Sequence, residues 1–143
     1  MLDGLFVTPA VTAIEEALAS ARVTGSLAVI GNAKLAAALA KTLDVIPVAM
    51  PKRTKLAGAL ADLSTIEPAS LGAVIGVDAS LDDGWERSLR AWSRAVRDGG
   101  AVVLVDRGRS PEVSRRALCA GLAEIEQRRA GRVVVTSGLV TQL

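Results

Sequence analysis

LAVIGNAKLAAALA, residues 27–40, is the stretch that decides how this chain folds. Leu27 to Ile30 is a short, continuously apolar run, the pattern of a strand covered by helices on both faces. Gly31-Asn32 then turns the chain into Ala33 to Leu43, an alanine-rich segment that reads as a helix ended by Asp44. A buried strand followed at once by a helix is the repeating unit of a parallel α/β sheet.

The same alternation extends to both sides. Upstream, Pro9 to Arg22 reads as a helix, with Thr8 as cap and Pro9 at its first position. Val11, Ile14, Leu18 and Ala21 fall on one face of it. Downstream, Val45 to Met50 reads as a second strand. Pro47 removes a ladder hydrogen bond, so it must sit at the strand start, at a bulge or on an unpaired edge. Pro51 to Ser64 has two readings: a helix over Lys52 to Leu63, or a short helix followed by a weak strand near Leu56 to Leu60.

Gly72 to Val77 is another buried strand, ending in Asp78. Asp82 or Asp83 caps a helix running through Val96, whose apolar face carries Trp85, Leu89, Trp92 and Val96. Asp98-Gly99-Gly100 stops it, and Ala101 to Val105 is a further buried strand ending in Asp106. Ser110-Pro111-Glu112 opens the next helix. Its end has two readings. Either Gly121 terminates it, leaving Leu122 to Ala130 as a strand that turns at Gly131 into Val133 to Val140, or the helix runs on to Arg129. The elements together predict one α/β domain with a doubly wound, mostly parallel sheet, helices on both faces and a C-terminal antiparallel strand or hairpin.

Composition narrows the chemistry. The 143 residues are 50% apolar and 22% charged, enough for a packed core. Phe6, Trp85 and Trp92 are the aromatic residues, so Ala, Val and Leu must fill the interior. The chain has no histidine, which excludes a His general base, a His-based triad and a His-ligated metal. Cys119 is the single cysteine, so neither an intrachain disulfide nor a thiolate metal cluster can form, and its apolar neighbours predict a buried, inert thiol. The opening MLDGLFVTPAVTAIEEA has an early acid and no basic region, unlike a secretory leader. No apolar stretch reaches the roughly 18 residues of a membrane span. These features predict a soluble, cytoplasmic protein.

The order of the pieces resembles the core of class I S-adenosylmethionine-dependent methyltransferases over nearly the whole chain. LAVIGNAKLAAALA resembles the family's first strand, glycine loop and first core helix, and VIPVAMP stands where its second strand ends. LGAVIGVDASLDD is similar to the fourth strand, which often carries an acid at its tip. WSRAVRDGGAVVLVDRG matches a helix, a Gly-Gly turn and the fifth strand, and AGLAEIEQRRAGRVVVTSG resembles the terminal hairpin. The resemblance implies S-adenosylmethionine as cofactor, with Gly31, Asn32, Met50 and Asp78 as its binding residues. It implies no metal and no catalytic nucleophile, since positioning can supply most of the effect in methyl transfer.

Two departures from the pattern bear on that cofactor. The family places an acid and several glycines in the first loop, so that bare backbone can approach the ligand. Here Gly31 is followed by Asn32, Ala33 and Lys34. The family also places an acid after the second strand to accept bonds from the ribose hydroxyls, where this chain has Met50-Pro51-Lys52-Arg53. Each lost polar contact costs about 1–3 kcal/mol, and two together weaken binding about 30- to 10⁴-fold. The sequence therefore predicts a pseudoenzyme that acts by association, as a homodimer or an accessory subunit. The other readings are an active small methyltransferase with an atypical loop, and a nucleotide or nucleic-acid binding module.

The remaining candidates have plain structural readings. Asp78 and Asp106 stand at strand tips, where a carboxylate either contacts a ligand or caps the next turn. Asn32 either offers an anion or adenine site at a helix start or is a turn residue with an unusual backbone angle. Lys52, Arg53 and Lys55 read as a solvated basic loop. Arg87, Arg90, Arg94 and Arg97, with Arg115 and Arg116, read as charged outer faces, since no aromatics interleave for base stacking. Trp85 and Trp92 read as core, with a self-association patch as the alternative.

Overall fold

Side chains alternate between the two faces of a strand, so a run with no polar member needs a covering layer on each. A computed structural model describes residues 4–48, 66–78, 85–107 and 110–141 and supplies those layers. The elements in order are α1 (Gly4–Ser20), β1 (Leu27–Ile30), α2 (Ala33–Leu39), β2 (Val45–Val48), β3 (Leu71–Val77), α3 (Trp85–Ala95), β4 (Val96–Asp106), α4 (Ser110–Cys119), β5 (Ala123–Ala130) and β6 (Val133–Leu139). The strands form one sheet in the order β2-β1-β3-β4-β6-β5. β2, β1, β3 and β4 are parallel; β6 runs antiparallel to β4, and β5 antiparallel to β6.

Leu27 and Val29 of β1 pack with Ile14 and Leu18 of α1 and with Leu35 and Leu39 of α2. Ala28 and Ile30, one residue out of phase, pack with Leu89 and Trp92 of α3 and Val113 and Ala117 of α4. The sheet is thus sandwiched by α1 and α2 on one face and α3 and α4 on the other. Trp92 is buried, whereas Trp85 is half-buried, with the Arg116 guanidinium 4.8 Å from its ring centroid. Among the described residues no helix is long and apolar enough to cross a membrane.

The hairpin reading of the last third holds. Gly121 follows α4, and β5 returns into β6 through Gly131-Arg132. Pro47 lies on β2, which ends the sheet on that side among the described residues, so its missing N–H falls on an edge strand there, one of the three placements expected.

Several expectations are corrected. α1 begins at Gly4, so Pro9 stands inside the helix rather than at its first position, and Thr8 does not cap it. The apolar spacing Val7, Val11, Ile14, Leu18 already runs upstream of the proline, whose cost in an interior turn is a single backbone bond and local crowding. α2 ends at Leu39, four residues before the expected Leu43, and Thr42 and Leu43 both donate to the Leu39 carbonyl in a closing turn. β4 begins at Val96, which was expected to finish α3. Val96 pairs with Leu71 and Ala101 with Ala73, so Arg97 to Gly100 bulge out of the ladder. A Cβ on Gly100 would strike the Gly72 carbonyl, and this close approach is why the turn needs glycine.

Cys119 is exposed rather than buried. The inward face of α4 is set by Val113 and Ala117, four residues apart, and Cys119 lies two positions on, which carries it round to the solvent side. The strand or helix expected within Pro51 to Ser64 lies outside the described residues, as do Asp82 and Asp83.

Ile75, fully buried in the central strand β3, measures the sandwich directly. Ile75→Ala is expected to destabilise the fold by about 2–5 kcal/mol and Ile75→Val by about 0.5–1.5 kcal/mol. Leu118→Ala, at a side chain 59% exposed, should stay within about 0.5 kcal/mol of the parent. Urea denaturation followed by circular dichroism reads all three.

Candidate functional site

The chain leaves β1 outward to β2, then crosses back past β1 to β3, so strand order reverses between β1 and β3. The crevice beyond the carboxyl ends of these strands is where doubly wound sheets hold their ligands. Gly31 follows β1 there and Asp78 follows β3, so the structure brings these two candidates to one edge.

The turn after β1 consists of Gly31 and Asn32. Gly31 takes the left-handed backbone (φ 92°), where a side chain would be strained, and its N–H donates to the Val48 carbonyl at 3.1 Å. Asn32 is extended (φ −150°), not a residue with an unusual angle; Gly31 absorbs the bend instead. The Asn32 side-chain oxygen accepts from the Leu35 N–H at 2.8 Å, and the residue is only 8% exposed. Its amide oxygen therefore serves as the N-cap of α2.

Asp78 also has a left-handed backbone (φ 55°), which Asp tolerates better than most residues. Its N–H donates to the Val105 carbonyl at 2.9 Å, extending the ladder to β4. Its carboxylate is 3.3 Å from the Arg107 guanidinium, with the Asp78 side chain 19% and the Arg107 side chain 54% exposed. Such a half-exposed pair contributes roughly 0–1 kcal/mol. It nevertheless places a cation beside the acid that the resemblance assigned to a ligand.

Arg107 was not singled out from the sequence as Asp78's partner. Both residues stand at strand tips, but only the adjacency of β3 and β4 joins them. Asp106, the last residue of β4, is buried. Met50 lies outside the described residues, as do Lys52, Arg53 and Lys55. Among the described residues no cluster of His, Cys, Asp or Glu could hold a metal ion. The α3 arginines are exposed; Arg90 pairs with Glu86 at 2.8 Å, and on α4 Arg116 pairs with Glu112 at 2.6 Å.

The parallel sheet reversing at β1 and closed by an antiparallel hairpin is the class I S-adenosylmethionine-dependent methyltransferase-like fold. The chain is similar to 1,6-didemethyltoxoflavin-N1-methyltransferase of Burkholderia thailandensis, solved with 1,6-didemethyltoxoflavin and S-adenosylhomocysteine. The TM-score is 0.68 at 11% identity, over 93% of this chain and 77% of that one. It is also similar to a candidate methyltransferase in complex with the Trm112 methyltransferase activator of Haloferax volcanii (TM-score 0.67, 12% identity, 91% of this chain and 89% of that one). A T. thermophilus 16S rRNA methyltransferase in complex with AdoMet and guanosine gives a TM-score of 0.60 at 18% identity; the 83% of this chain that aligns spans only 36% of that one. At these identities the likeness establishes the fold. No protein-family model matches the sequence, and no curated protein does.

The cap geometry gives a direct expectation. Asn32→Ala should lower stability by about 0.5–2 kcal/mol, while Asn32→Asp, which keeps an acceptor for the Leu35 N–H, should stay close to the parent. Urea titration of the three proteins reads the difference.

Proposed function

We propose that this chain is a methyltransferase-fold domain in which S-adenosylmethionine binding is weakened or lost, and which acts by association, as a homo-oligomer or as an accessory subunit. The turn after β1 carries this reading. It is two residues long, its one glycine is used to make the bend, and its one polar side chain is engaged by the Leu35 N–H. Two further features support it. The carboxylate at the tip of β3 lies 3.3 Å from the Arg107 guanidinium. No acid occurs in the sequence from Ala49 to Ala61, while Lys52, Arg53 and Lys55 do. A cationic segment there would repel a sulfonium and cannot accept bonds from ribose hydroxyls.

The residues described at this edge do not fit S-adenosylmethionine. The Haloferax volcanii neighbour, solved with an activator protein, is a precedent on this fold for a role that depends on a partner. One observation favours the alternative of an active enzyme: Gly31 and Asp78 lie at the same switch point, and neighbours of this fold were solved with S-adenosylhomocysteine or AdoMet. On that reading Gly31, Asn32, Met50 and Asp78 line the pocket.

Calorimetric titration with S-adenosylmethionine and S-adenosylhomocysteine separates the two. The expected result is no heat of binding up to about millimolar ligand, as the strong end of the 30- to 10⁴-fold loss from two missing contacts implies. Saturable micromolar binding would instead make this chain an enzyme candidate.

A further inference from the structure

We propose that a small cavity between the last turn of α1 and the start of β5 binds a free primary alkylamine as its ammonium, with the Ser137 hydroxyl and the Glu124 and Glu126 carboxylates as acceptors. The cavity lies apart from the switch point. Leu139, on its wall, pairs with Ala101 at the opposite end of β4 from Asp106.

The buried hydroxyl carries the inference. β6 turns Val133 and Val135 into the core beneath α1. Side chains alternate along a strand, so Ser137 is the next residue on that face, and it is only 7% exposed. A hydroxyl in such a place is unfavourable unless another group bonds to it. Two other buried polar side chains have such a group: Asn32 accepts from the Leu35 N–H, and Thr136 accepts from the Gln127 amide at 2.9 Å. The Ser137 side chain has no hydrogen-bond partner among the described residues. It lines a cavity of about 100 Å³ instead.

Both charged side chains on the wall of this cavity are carboxylates. Glu126 stands directly opposite Ser137 in the ladder, which puts their Cβ atoms about 5 Å apart on one face. Glu124 joins it across the ladder shift that follows Ala123. Ser20 and Ala21 close the other side at the end of α1, where the helix dipole is negative. Arg128 lies 3.4 Å from the Glu126 carboxylate but does not line the cavity, and so exposed a pair is weak.

These groups select the ligand. An ammonium carries three donors, and two carboxylates with one hydroxyl supply three acceptors. Ala21 and Leu139 beside them suit the methylenes of an alkyl stem, which a metal ion lacks. The volume is that of roughly three waters, enough for an ammonium head and a short stem. The larger cavity farther along α1, about 540 Å³, is lined by Glu16 and Arg128, charges of both signs, and makes no such selection.

Nitrogen–proton correlation spectra titrated with n-butylamine at neutral pH test the site. The Ser20, Glu126 and Ser137 amides should shift saturably, with a Kd on the order of millimolar. Ser137→Ala and Glu126→Gln should each weaken binding about tenfold, with thermal melts reporting folded proteins. Glu16→Gln, in the other cavity, should leave the affinity unchanged. Tetramethylammonium, which has the charge but no N–H, should not displace these amides. Unmoved amides at about tens of millimolar n-butylamine would overturn the site. So would folded Ser137→Ala and Glu126→Gln proteins that bind as the parent does, a loss in Glu16→Gln as large as theirs, or equal binding of tetramethylammonium.

Discussion

Burial of β1, β3 and β4 on both faces is the constraint from which the rest of the structure follows. A strand with apolar side chains on both sides has no solvated face, so it must lie inside a sandwich of helices. Parallel pairing then requires each strand to be followed by a crossover, and crossovers of one hand alternate the helices between the faces. α1 and α2 cover one side and α3 and α4 the other, with Ala, Val and Leu filling a core that has almost no aromatic content. The same topology reverses strand order beside β1 and so fixes where a ligand would have to sit.

What that edge can do is decided by a very small piece of chain. With only Gly31 and Asn32 between β1 and α2, one residue must bend and the other must cap. A longer, glycine-rich turn would have freed several N–H groups toward the crevice. Here the Asn32 side-chain oxygen is taken up by the helix, and at the neighbouring tip the Asp78 carboxylate pairs with Arg107.

Elements whose evidence is local were legible in the sequence. β1 matches residue for residue, because Leu27 to Ile30 is apolar throughout and Gly31 punctuates it. The edge placement of Pro47 followed from its missing N–H. Features set by pairing across the chain were not legible. Val113, Ala117, Leu122 and Ile125 fit a helical stripe as well as a helix followed by a strand, and only the β5–β6 ladder separates the two. The Gly-Gly turn reads as a stop until Leu71 is found opposite Val96, which makes it a bulge. Cys119 sits among apolar residues in sequence but round the wrong side of α4 in space. At the site, Asn32 was recognised and α2 begins at Ala33 as read, yet the capping bond from the Leu35 N–H to the Asn32 side chain was not singled out. Arg107 was missed because its partner is twenty-nine residues away.

The central claim concerns one turn, and amide resonances report on it residue by residue. In a nitrogen–proton correlation spectrum titrated with S-adenosylhomocysteine to about millimolar, the Gly31, Asn32 and Ala33 signals are expected to stay where they are. Saturable displacement of those three amides at micromolar ligand would show that the short, capped turn does seat the nucleoside, and would contradict a scaffold that has given up its cofactor.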